Sequence, residues 1–227
     1  MNMLKLITPT LMITSLCAPA FAQETGTLIK RKPAQIDSRS KDAARQTLEA
    51  FSSCVVERQY GRAAKLINIP IDSAEYKKQM SGLTSYYDDC LSTGEFSLSF
   101  DLMRGGLFQA FYLREFKLKG PVSFDPQTAT GYRAIYPETL SDQARSSVGL
   151  INFAECVTRA DGANVRLLMT MPAGSNGETG VFRLLAPRLG PCIVQGNQIK
   201  FSKAILKGAL AEGIYRLSMA SKAGVGK

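Results

Sequence analysis

The chain is expected to be all-α, an internal duplication of two four-helix units, each closed by one disulfide. Three observations predict this. The five residues "FSSCV" at 51–55 recur as "FAECV" at 153–157. Sliding the chain against itself by 102 residues superposes Phe51 on Phe153, Cys54 on Cys156, Pro70 on Pro172, Leu83 on Leu185 and Cys90 on Cys192. A shift of 103 then places "SFDLMRGGLFQAFYL" (99–113) on "SKAILKGALAEGIYR" (202–216), so one single-residue slip accounts for both halves. Matches in constant order at a fixed period are the mark of a repeated structural unit. The apolar residues within each copy also recur at helical spacing.

The elements follow in order. Residues 1–22 have one cation, Lys5, a mostly apolar run, and Ala20-Phe21-Ala22 at the end. Small residues at those two positions suit signal peptidase, so a cleaved signal is expected, with Gln23 the first mature residue. Residues 23–39 read as a basic flexible tail. The first repeat spans 40–116. Ala44, Leu48, Phe51 and Val55 form one helical stripe over 41–58, behind Ser40 as N-cap. Leu150, Phe153 and Val157 repeat the stripe in the second copy, 140–219, behind Asp142. Gly61 and Gly162 are read as turns, followed by short helices ("RAAKLIN", "NVRLLMT") that Pro70 and Pro172 terminate. Third helices are expected at 73–91 and 178–190, the latter kinked or shortened by Pro187 and Pro191. The fourth helices, 100–116 and 203–219, start behind Ser99 and Ser202. Their interior glycines, Gly105-Gly106 and Gly208, each cost about 1 kcal/mol relative to Ala, which close approach of another helix would return. Tyr112 and Tyr215 are expected to bury their rings and hydrogen-bond their hydroxyls. Residues 117–139 link the copies, 172–180 read as a flexible turn, and 220–227 as a flexible carboxyl terminus.

Removal of the signal takes Cys17 away and leaves four cysteines, an even number in an exported chain. Spacing alone leaves three pairings open. Duplication selects Cys54–Cys90 and Cys156–Cys192, both 36 residues apart, because two copies of one unit should each close their own bond. Each loop contributes about 3–4 kcal/mol in the chain-entropy model.

Lys and Arg number 28 against 19 Asp and Glu, and loss of Lys5 leaves the mature chain near +8. In an exported protein that balance favours an anionic envelope component or an acidic protein as partner, with peripheral membrane contact, and disfavours nucleic acid. Lys200, Lys203 and Lys207 stand at helical spacing and are the candidate anion-binding face, with Arg104 the counterpart of Lys207. "KRK" at 30–32 is a second basic cluster, read as solvated tail.

The chain contains no histidine, which excludes Ser–His and Cys–His nucleophile pairs and histidine zinc ligands. There is no Cys-x-x-Cys either. Ser38-Arg-Ser-Lys41 matches Ser-x-x-Lys, but without Lys-Thr-Gly it is read as chance. Asp88-Asp89 reads as a solvated helix end, since Gly190-Pro191 replaces it in the second copy. The residues shared by both copies are Phe, Cys, Val, Leu, Pro, Gly and Tyr, which are structural types. No catalytic residue, metal site or cofactor is assigned.

At F-x-x-C-V, at "LGPC" (189–192) and at "KGALAEGIYRL" (207–217) the chain resembles small exported proteins of Gram-negative bacteria that have no assigned activity. The resemblance covers roughly 40–116 and 142–219. It implies a helical periplasmic protein and brings no functional residues. The expectation is a non-enzymatic periplasmic interaction or binding module. The alternative is an envelope-acting enzyme with a single site in the groove between the copies. A deep groove lined by convergent polar groups would favour the enzyme.

Overall fold

The computed structural model describes residues 38–85, 90, 99–194 and 202–224, and all its regular structure there is helical. Four helices precede the linker: α1 (Ser38–Arg58), α2 (Tyr60–Leu66), α3 (Ala74–Ser85) and α4 (Phe100–Glu115). Four follow it: α5 (Asp142–Ala160), α6 (Gly162–Thr170), α7 (Asn176–Leu189) and α8 (Lys203–Gly224). The first residues of α2 and α6, and of α3 and α7, are 102 apart. Those of α4 and α8 are 103 apart.

The helix starts are written in side-chain chemistry. Ser73 accepts from the Tyr76 N–H (3.1 Å) and Ser175 from the Glu178 N–H (3.0 Å). Ser99 accepts from Leu102 (3.4 Å) and Ser202 from Ile205 (3.2 Å). Each satisfies one backbone donor that a helix start leaves unpaired. Both expected caps on the fourth helices are therefore present. Others lie elsewhere. Ser141, not Asp142, caps α5, at 3.1 Å from Ala144 N. Helix α1 already begins at Ser38, so Ser40 lies inside it. Gly61 lies within α2 and Gly162 opens α6. The breaks fall earlier, at Gln59 and at Asp161, whose side chain caps α6.

Helices α4 and α8 run through the centre. Met103 to Tyr112 are all buried in α4. One apolar cluster takes in Leu48, Phe51 and Val55 of α1, Phe153 and Val157 of α5, and both central helices. The two sets of four helices thus share a core rather than burying separate ones. About eighty residues close only a small core alone, so apolar faces are better buried against each other.

Glycine permits this. A Cβ built on Gly105 would lie 2.5 Å from the Gly208 Cα, and one on Gly208 would lie 2.9 Å from the Gly105 Cα. The expected close approach is therefore between the two glycines themselves. Gly105→Ala should push the axes apart and cost about 1–3 kcal/mol, as overpacking does. Gly180→Ala in α7, where nothing lies within 4 Å of the new Cβ, should be neutral or slightly stabilising. Urea midpoints that moved equally for both would refute the crossing.

The disulfides are Cys54–Cys90 and Cys156–Cys192, each with Cα atoms 5.7 Å apart. The first ties α1 to Cys90, beyond α3. The second ties α5 to a 3₁₀ turn, Gly190–Cys192, that follows α7. Pro187 lies inside α7 and the helix ends two residues later. The segment read as a flexible turn, 172–180, contains the start of α7, and α8 continues through 220–224 of the expected frayed end.

The 117–139 linker wraps over the second half without forming a strand among the described residues. Phe124, Tyr132 and Tyr136 are buried. The two tyrosines pack with Ala144, Val148 and Ile151 in a small second cluster. Arg159 donates to the carbonyls of Asp125 and Thr128, both at 2.6 Å, and Arg166 to that of Gly120 (2.8 Å). The rings of Tyr112 and Tyr215 are buried as expected. The Tyr112 hydroxyl, however, has no hydrogen-bond partner among the described residues. The signal peptide (1–22), the tail before Ser38, Asp88-Asp89 and Lys200 lie outside those residues.

Candidate functional site

Two ionic clusters flank the Gly105–Gly208 crossing. In the first, Glu212 of α8 bridges two arginines. Its Oε1 accepts from Arg104 Nη2 (2.8 Å) and Arg216 Nε (2.9 Å), and its Oε2 from Arg104 Nε (3.0 Å). Both arginines also donate to the Ile67 carbonyl at the end of α2, at 3.1 and 3.0 Å. The Phe108 ring receives both guanidinium groups, at 5.0 and 5.1 Å from its centroid. All three charged residues are buried. Burial disfavours the charged Glu212, but attraction to Arg104 and Arg216 outweighs it and holds the carboxyl below its ordinary range.

Beside this cluster is a cavity of about 50 Å³, whose lining includes Arg104, Tyr136, Ser147, Glu212 and the two crossing glycines. The Tyr136 hydroxyl lies toward the Ile71 backbone N–H but forms no hydrogen bond of normal geometry. The Tyr76 ring lies against Arg104, its centroid 5.6 Å from the guanidinium carbon, and its hydroxyl lies toward that guanidinium but forms no hydrogen bond of normal geometry.

The second cluster surrounds Lys207. Its ammonium contacts Glu49 (2.5 Å), the Met171 carbonyl (2.6 Å) and Glu178 (3.5 Å). Arg45 pairs with Glu178 and, at 2.9 Å, with Asp42. The two carboxylates also organise the α6–α7 connection: Glu49 accepts from Ala173 N (3.2 Å) and Glu178 from Gly174 N (3.0 Å). Outside this cluster opens a recess of about 390 Å³ with mainly apolar walls from Ala44, Leu48, Leu102 and Ala204. The exposed Lys41 and Lys203 also line it.

The basic residues singled out in the sequence therefore separate. Lys203 is exposed and donates to Thr179 Oγ1 (3.3 Å). Lys207 is 3% exposed and committed to carboxylates inside the protein. The physical reason is pairing: a buried ammonium is tolerated only where anions and carbonyls compensate it. Glu212 and Arg216 were not among the sequence candidates. The signal for them is an i,i+4 pair inside an otherwise apolar, glycine-rich helix, "KGALAEGIYRL".

A general base needs a pKa near the working pH and a free lone pair. Glu212 is held ionised with its oxygens spent on arginines. The pKa of Tyr76 is pushed up, chiefly by burial, so its hydroxyl stays protonated. Among the described residues no group of three or more Cys, Asp or Glu side chains is placed to hold a metal ion, and no helix is long and apolar enough to cross a membrane. The chain matches no known family, no curated protein and no solved structure.

Proposed function

We propose that the protein is a non-enzymatic periplasmic binding module, built by duplication of a four-helix unit, that takes an anionic amphiphile of the envelope. The observation that carries this reading is the recess at the amino-terminal ends of α1, α4 and α8, which pairs apolar walls with the exposed cations Lys41 and Lys203, beside the Asp42–Arg45 ion pair. Apolar concavity with a few fixed polar groups is the usual form of a small-ligand site. The matched helix starts and matched serine caps support the duplication. Two disulfides fit an oxidising compartment. The enzyme reading needs a deep polar groove between the halves; the cavity at the glycine crossing is only about 50 Å³, and its Glu212 is engaged by Arg104 and Arg216.

The test uses the native protein from periplasmic extract, expected to begin at Gln23. An apolar naphthylamine probe should bind it and be displaced by anionic lipid monomers. Ala44→Trp should fill the recess and abolish probe binding while leaving the circular dichroism unchanged. Equal probe binding by both proteins, or an amino terminus at Met1, counts against the reading.

A further inference from the structure

We propose that the cavity beside the Arg104–Glu212–Arg216 cluster is a binding site for a small monovalent anion of halide or formate size. This site is separate from the amphiphile recess and does not depend on it.

Arg104 has five N–H groups and cannot lose its charge. Its Nε serves Glu212, and its Nη2 serves Glu212 and the Ile67 carbonyl. Its Nη1 is buried and has no hydrogen-bond partner among the described residues. Two of the nearby acceptors are engaged. Glu212 receives three hydrogen bonds from the two arginines, and the Ile67 carbonyl receives one from each. What remains is donor-rich: Arg104 Nη1, which lacks a hydrogen bond of normal geometry, and the O–H proton of Tyr136 on the cavity wall, with the Tyr76 hydroxyl turned toward the same guanidinium. Burial raises the pKa of both tyrosines, so each keeps its proton to donate at neutral pH.

Charge points the same way. Two buried guanidinium groups face one buried carboxylate, leaving one positive charge uncompensated inside the protein. Asp101 also lines the cavity, but it is exposed, where solvent screens it. Water would accept two hydrogen bonds and leave that charge in place. An anion would accept from the same donors and neutralise it. At about 50 Å³ the cavity exceeds the roughly 10–15 Å³ that a single water needs on the same measure, yet is far smaller than ordinary pockets for drug-sized ligands. The size therefore selects an anion of a few heavy atoms.

The experiment compares thermal unfolding of the intact disulfide-bonded protein in sodium chloride, bromide or formate with sodium gluconate at equal ionic strength. Gluconate is too large for the cavity. The melting temperature should rise with the logarithm of chloride, bromide or formate concentration but not with gluconate. Tyr136→Phe keeps the ring, removes one donor, and should weaken the apparent affinity by roughly tenfold or more. A crystal soaked in bromide should hold the ion within hydrogen-bonding distance of Arg104 Nη1. A rise no larger than that in gluconate, an identical response in Tyr136→Phe, or a soaked crystal with water alone at that position would overturn the proposal.

Discussion

Glu212→Gln is expected to cost about 3–5 kcal/mol of folding stability, the loss typical of breaking a buried ion pair by removing one partner. Glutamine fills nearly the same volume and keeps one acceptor oxygen, so cavity formation is not the cause. The cause is charge. Arg104 and Arg216 are 4% and 8% exposed, and each has Glu212 as its ion-pair partner. Without the carboxylate two guanidinium groups remain buried over one aromatic ring. Replacing all three residues together by Met should do less harm than the single change, since no uncompensated charge is left. The acid limb supplies an independent check. The folded pKa of Glu212 is depressed, so its contribution is fully present above the unfolded carboxylate value, about 4. It is lost as pH falls through the folded value. Wild type should therefore lose this stability only in acid, and Glu212→Gln should show a flatter acid limb. A urea-unfolding difference below 1 kcal/mol at pH 7 would show that the network does not support the fold.

The residues that made the fold legible are those whose effect is local or repeated. The fourth-helix caps, Ser99 and Ser202, declare themselves by position, and the cysteine pairs by duplication. Gly105 and Gly208 announce a close approach but not its partner, because only the fold brings the two together. What stayed hidden depends on which way a face turns. Lys200, Lys203 and Lys207 share a helical spacing, yet spacing carries no sign for inside or outside. Lys207 is drawn inward because Glu49 and Glu178 arrive from α1 and α7. Residues 172–180 look like a turn by composition, and the Ser175-x-x-Glu178 pattern that starts α7 was the overlooked signal. Glu212 and Arg216 were masked by the apolar character of their helix, and the pair is buried rather than surface.

Cys156→Ser should cost about 2–5 kcal/mol, as removal of a native disulfide does in small exported domains. Cys192 would remain as a half-buried free thiol packed against the core. Changing Cys156 and Cys192 together to Ala should be less damaging, because no odd thiol remains to mispair. Duplication alone suggests that the loss would be confined to the second half. The shared core argues otherwise. Cys156 lies on α5, α5 packs on α8, and α8 packs on α4 through the glycine crossing. Loosening α5 therefore exposes apolar surface that belongs to both halves, and one cooperative transition at lower urea concentration is expected. Hydrogen exchange should show protection falling in α4 as well as in α5 and α8. Non-reducing peptide mapping of the wild type should find Cys54 joined to Cys90 and Cys156 to Cys192. A separate early transition restricted to α5–α8, with α1–α4 still fully protected, would show that the halves are stable on their own and that the α4–α8 contact is an interface rather than a core.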